Sequence, residues 1–296
     1  MSTTALNVAD ILPLTCTREG TCCHGKTVWL NPWELASLAQ GRGLSARDFR
    51  AAHVEHGIRL RFNGQSGSTN SGAKLGPACS QYADGVGCVA HLGRPLACRL
   101  YPLGREKRGE VVRYVYEGKK FPCLSGCPKV IDLPRLSVAD YLAGQLVGPG
   151  EQAQDAYLDM AQDLAEGAFV VLFDSGLAAT RGPEVLLHWR KVIAMEPSER
   201  ISVIGEEWFD RLTVPDLGDD VTDPTSWISE HRAQFQIAAQ EAFGRLRDAD
   251  TLAEASVRFF ALALHLVQAV GAANPTDVGR RWLDAAQAKS LSPLES

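Results

Sequence analysis

Eight cysteines, Cys16, Cys22, Cys23, Cys79, Cys88, Cys98, Cys123 and Cys127, lie within the first 127 residues of this 296-residue chain, and none follows. A lone cysteine is most often a small buried hydrophobe, but eight in one segment imply metal ligation or thiol redox exchange. Soft thiolates suit zinc and iron–sulfur clusters alike, and four complete a shell for either.

The thiols fall into three groups. Cys16-Thr17-Arg18-Glu19-Gly20-Thr21-Cys22-Cys23 is a C-x5-C-C arrangement, and Gly20 and Gly25 would let the backbone turn sharply around a metal. Adjacent side chains on extended backbone point opposite ways, so Cys22 and Cys23 need not serve the same ion. Cys79, Cys88 and Cys98 form the second group, with Gly85, Gly87, Gly93 and Pro95 between them to fold the chain back. Arg94 and Arg99 flank the last thiol, where they could offset thiolate charge through charge-assisted hydrogen bonds or simply face solvent. The third group, Cys123-Leu124-Ser125-Gly126-Cys127, has C-x3-C spacing. It lacks the third close cysteine of a radical-enzyme cluster, and the chain has no pair of C-x2-C knuckles. The spacing therefore leaves zinc and an iron–sulfur cluster both open.

His24, beside the paired thiols, and His91, between Cys88 and Cys98, could each complete a ligand set or take an ordinary hydrogen-bonded or exposed role. His53 and His56 sit on an expected helix without a metalloprotease glutamate and read as surface. Asp155, Asp159 and Asp163 share one helix face and read as a solvated stripe.

Positioning these residues requires short elements first and helices later. Thr27 to Leu30 reads as a strand. Asn31-Pro32-Trp33-Glu34 supplies an N-cap, a first-turn proline and a capping-box glutamate for a helix running to about Gln40. Ser45-Ala46-Arg47-Asp48 opens a second helix ending before Gly57, and Asn63 to Gly76 reads as a mobile loop. Val111 to Tyr116 reads as a strand, in a hairpin with the segment near Leu100 across the turn Lys107-Arg108-Gly109. From Ser137-Val138-Ala139-Asp140 onward the pattern is helical through Tyr157, Met160, Ala161 and Leu164. Further helices are expected over Pro183 to Met195, Ser198 to Leu212, Ser226 to Leu246, Leu252 to Val270 and Pro275 to Ala288. The stripe Phe259, Phe260, Ala263, Leu264 and Val267 reads as core.

With 45% hydrophobic residues the chain can bury a core without cysteine cross-links. A net charge of -5 and the lack of a Lys and Arg run argue against a nucleic-acid partner. Met1 to Asp10 lacks the basic opening and apolar core of a secretory signal, and no later stretch reads as long and apolar enough to cross a bilayer, so no membrane partner is expected. The expected compartment is cytoplasmic, where thiols stay reduced and serve as ligands or redox groups rather than disulfides.

The ordered set Cys16 to Cys23, Cys79, Cys88 and Arg94-Pro95-Leu96-Ala97-Cys98-Arg99-Leu100-Tyr101-Pro102 resembles the YkgJ-type cysteine-cluster proteins, a family with a CxxxxxCC motif and a domain described as zinc- or iron-chelating. Glu19 stands where many members carry another cysteine. The resemblance covers about residues 12 to 130 and implies a metal ion or cluster. Cys22, Cys23, Cys79, Cys88 and Cys98 are the leading ligands, with Cys16, Cys123 and Cys127 as further candidates. Flagellin lysine N-methylases of the FliB type look similar in cysteine pattern. That similarity implies methyl transfer from S-adenosylmethionine to a protein substrate, although no G-x-G-x-G loop follows a strand here. A thiol-redox protein cycling Cys123 and Cys127 is the third reading. The expected fold is α+β, mostly α: a small cysteine-rich metal-binding region with short strands over residues 1–136, then a helical bundle or cap over 137–296.

Overall fold

A computed structural model describes residues 4–13, 21–68, 74–108, 111–116, 135–218, 220–272 and 274–291. Cys16, Gly20, Gly109, Cys123 and Cys127 lie outside the described residues. The fold is α+β and mostly α, 62% helical with short strands. It divides into two compact units, Met1–Leu30 with Glu34–Glu151, and Asn31–Trp33 with Gln152–Ser296.

The first unit is built from short pieces held by long-range pairing. Its largest sheet has three antiparallel strands, with Val111–Tyr116 between Thr4–Leu6 and Leu103–Arg108. The expected hairpin is present, but Lys107 and Arg108 belong to its first strand rather than to the turn. Arg135–Ser137 pairs with Ile11–Pro13. Ser137 then caps the helix Val138–Gln145, its hydroxyl accepting the Asp140 N–H at 3.1 Å. Leu96, Leu100, Leu103, Val138, Tyr141, Leu142 and Val147 form a core against which Leu6, Leu12, Tyr114, Tyr116 and Leu136 pack.

The helices Pro32–Gln40 and Ala46–His53 start where the capping signals place them. Ser45 accepts the Asp48 N–H at the second start. His56 is not on that helix: it follows a strand, Val54–Glu55, and takes a positive φ of 52°. Thr27 to Leu30 is not a full strand either. Only Trp29 bridges Arg59, because its partner hairpin, Val54–Glu55 with Arg59–Leu60, offers two residues per strand. The glycine-rich stretch expected as a loop contains a bulged strand pair, Ser66–Ser68 with Lys74–Pro77.

The second unit is helical. The helix Gly148–Phe173 leads into it and is followed by Leu177–Ala194, Pro197–Ile204, Glu206–Thr213, Pro224–Phe243, Ala249–Val270 and Pro275–Leu291. Pro183 sits inside Leu177–Ala194 rather than starting it, since the buried Leu177 anchors an earlier first turn. The expected single helix over Ser198 to Leu212 is split by Gly205, whose φ of 84° no helix accommodates. Ala249–Val270 packs against Leu177–Ala194, Pro197–Ile204 and Pro275–Leu291. Its Phe259, Phe260, Ala263, Leu264 and Val267 are buried as the stripe predicts, and Phe260 stacks on Trp189 with centroids 4.4 Å apart. This helix is, against the sequence expectation, long and apolar enough to cross a membrane by length and composition. Of its most apolar window 72% is buried inside the fold, as in the core helix of a globular unit. The acidic stripe is only partly solvated: Asp163 forms an ion pair with Arg232, and burial outweighs that pair in raising its pKa.

Candidate functional site

Within the first unit, two backbone arrangements bring Cys22-Cys23, Cys79 and Cys88 together, and a third fixes the turn that carries Cys98. The first joins the Cys22-Cys23 pair to Cys79. Thr21–Cys23 is a 3-10 turn rather than extended backbone. His24 bridges Ala78, the Cys79 N–H donates to the Cys23 carbonyl at 2.7 Å, and the Gly25 N–H donates to the Pro77 carbonyl at 2.9 Å. Gly25 is left-handed, with φ of 59°, and a Cβ on Gly76 would stand 2.7 Å from the Gly25 Cα. Only glycine permits two backbones to cross so closely.

A small hairpin makes the second arrangement. Tyr82–Ala83 pairs with Gly87–Cys88, setting Tyr82 opposite Cys88, while the Tyr82 N–H donates to the Cys79 carbonyl at 2.9 Å. Gly85 and Gly87 supply the positive φ angles of its turn, 74° and 83°. Gln81, buried between the two thiols in sequence, donates its N–H to the Cys79 sulfur at 3.4 Å and accepts from the Arg42 guanidinium at 2.7 Å.

The third arrangement places Cys98 in the short helix Leu96–Leu100, beside the helix Pro32–Gln40. A Cβ on Gly93 would lie 2.4 Å from the Ser37 carbonyl oxygen, and Glu34 accepts the Leu96 N–H at 2.7 Å. Arg94 and Arg99 tie the same turn together. Arg94 donates to the His91 carbonyl at 3.1 Å and to the Gln145 amide oxygen at 3.2 Å. Arg99 donates to the carbonyls of Arg94 at 2.8 Å, Gln145 at 3.0 Å and Leu92. Neither arginine is simply a solvent-facing charge: both hold backbone carbonyls.

Cys22, Cys23, Cys79, Cys88 and Cys98 are not disulfide-bonded, Cys79 buried and the others partly so. Burial pushes the Cys98 thiol well above its ordinary pKa, and Cys79, Cys22 and Cys88 add to the shift while Arg94 opposes it. Burial also pushes Cys79 up to about 11, against the lowering hydrogen bond from Gln81, with Cys88 adding. Four thiols thus share one electrostatic neighbourhood. Burial, then Asp84 and Cys23, raise the pKa of Tyr82. His24 is buried edge-on against Tyr82, centroids 4.9 Å apart, and a Cβ on Gly67 would meet its Nε2 at 3.1 Å. His91 begins the 3-10 turn His91–Gly93.

The chain matches no protein-family model, no curated protein and no solved structure. Among the described residues, no three His, Cys, Asp or Glu side chains already form a metal cage. The sulfurs of Cys22, Cys79, Cys88 and Cys98 are soft donors without disulfide bonds, and Arg94 lies within electrostatic reach of Cys98. Sequence reasoning missed Glu34, Gln81 and Gln145. Glu34 carries a capping signal that hides its long-range partner, and nothing local marks the two glutamines as buried or bridging.

Proposed function

We propose that the first unit binds a thiophilic metal, zinc or an iron–sulfur cluster, and that the protein is a cytoplasmic metal-binding protein related to the YkgJ-type cysteine-cluster family. One observation supports this most: the backbone joins the Cys22-Cys23 turn to Cys79 and sets Cys88 in the hairpin that follows, and Cys98 lies within electrostatic reach of Cys22, Cys79 and Cys88. A thiolate cluster there needs positive charge, and a metal supplies it while displacing the thiol protons. Cys23 joins Cys22, Cys79, Cys88 and Cys98 as a leading ligand, and Cys16, Cys123 and Cys127 are the further candidates.

The test is metal and acid-labile sulfide content, with the visible spectrum, on protein purified without oxygen and without a metal-binding tag. Near-stoichiometric iron and sulfide with a broad visible band identifies a cluster, whereas colourless protein carrying zinc identifies a zinc site. Serine at Cys22, Cys23, Cys79, Cys88 and Cys98 should abolish uptake; unchanged metal content would sink the reading. Binding of S-adenosylmethionine by the metallated protein would turn it toward methyl transfer onto a protein substrate.

A further inference from the structure

We propose that Glu34 is a positioning residue for the thiol site, its buried carboxylate fixing the turn that presents Cys98. This inference rests on the metal-binding reading above. Leu96–Leu100 is a five-residue helix, far below the length at which a helix persists alone in water. Its N-cap, Pro95, has no side-chain hydrogen bond to give, so the first-turn donors must find partners elsewhere. Glu34 supplies one from 62 residues away, with only 4% of its surface exposed.

The arrangement is specific in two respects. Glu34 and Ser37 are three apart on one helix and so share a face. That face holds both ends of the segment before the cysteine: Gly93 lies against the Ser37 carbonyl and Leu96 is hydrogen-bonded to Glu34. Cys98 follows two residues later. The Leu96 side chain is fixed as well, since a Cβ on Gly150 would touch it at 3.1 Å. Arg99 lies within electrostatic reach of both Glu34 and Cys98. Glu34 need not touch the metal for this role.

Cobalt(II), titrated into metal-free full-length protein, is the probe, read by its thiolate-to-cobalt charge-transfer absorption, alongside hydrogen exchange at the Leu96 amide without metal. Glu34→Ala should weaken cobalt binding about tenfold, the size of effect found for residues that orient ligands. Its charge-transfer intensity should fall toward that of Cys98→Ser, and Leu96 exchange should quicken. Glu34→Gln keeps an acceptor oxygen, so it should retain the intensity and bind within about threefold of the parent protein. Adding Glu34→Ala to Cys98→Ser should cost nothing further, because one residue acts through the other. If Glu34→Ala does not fold, Glu34→Asp, one methylene shorter, should show a partial loss in the same readings.

Parent-like affinity and intensity in Glu34→Ala or Glu34→Asp, with Cys98→Ser still impaired, would overturn the positioning role alone. If Cys22→Ser and Cys98→Ser both leave the cobalt spectrum unchanged, the metal-binding reading fails first and takes this inference with it.

Discussion

The two units fix their residues by opposite means. In the helical unit each element is long enough to carry its own amphipathic code, and placement follows from burying that face. Strands of two to six residues dominate the cysteine-bearing unit and have little standing alone. Their places are set by hydrogen bonds between distant segments, such as Cys79 to Cys23, Leu60 to Val28 and Leu96 to Glu34. In the first unit close glycine contacts hold the cysteine-bearing segments alongside an apolar core of its own, whereas buried apolar faces place the helices of the second. A variant at a cysteine-bearing crossing should therefore act through lost close approach, and one in the helical core through lost burial.

The largest expected effect is in the helical core. Trp189 and Phe260 stack almost parallel, 9° apart, and both are completely buried. Phe260→Ala should cost about 3–5 kcal/mol, the usual range for deleting a buried aromatic ring. Denaturant unfolding followed by helical circular dichroism reads this directly, and a cost under about 1 kcal/mol would show that the ring is not part of a tightly filled core.

Next comes a pH effect in the same unit. His231 is buried, its Nε2–H donating to the Arg211 carbonyl and its Nδ1 accepting the Tyr157 hydroxyl, each at 2.9 Å. Burial lowers its pKa from 6.5 to about 4, with the Arg211 carbonyl opposing. Between those values the unfolded chain binds a proton that the folded one refuses, so stability rises with pH. The contribution is fully present above 6.5 and is lost as pH falls through 4; it amounts to about 3 kcal/mol. His231→Gln should flatten the stability profile between pH 4 and 6.5, and an unchanged slope would assign the acid sensitivity elsewhere.

In the cysteine-bearing unit the comparable test is steric. A Cβ on Gly76 collides with backbone at Gly25, which no rotamer can relieve. Gly76→Ala should cost about 2 kcal/mol as an overpacking change. It should also alter the reaction rates of Cys22 and Cys79 with a thiol reagent, since the crossing aligns their segments. Gly144→Ala, where nothing lies within 4 Å of the added carbon, is the control expected to leave those rates unchanged.

The same contrast explains what the sequence discloses. Period-3.6 apolar spacing marks the helices and the Phe259 to Val267 core, and Ser45 and Ser137 mark two helix starts within a residue. Boundaries fail where a special backbone intervenes, as at Gly205, or where an anchor such as Leu177 lies ahead of a proline. Cysteine types and spacing point to the chemistry. Their assembly is hidden, because the Gly25 and Gly76 crossing, the Glu34 to Leu96 bond and the burial of Gln81 all join residues with no local relation. Asn63 to Gly76 illustrates the trap: glycines that read as looseness in sequence are, at Gly64, Gly67 and Gly76, sites of close approach.

The smallest expected effect tests a feature that sequence does disclose. Ser137 ends the strand Arg135–Ser137 and caps the helix Val138–Gln145, accepting the Asp140 N–H at 3.1 Å and donating to the Asp140 carboxylate at 2.6 Å. Ser137→Ala removes that one acceptor and nothing from the core, so it should cost about 1 kcal/mol, whereas Ser137→Asp, which keeps a capping oxygen, should cost a few tenths. Both are read from the same denaturant titration as Gly76→Ala. If Ser137→Ala proves as costly as that variant, a local cap and a long-range crossing contribute alike, and the contrast drawn between local and distant determinants of the cysteine-bearing unit does not hold.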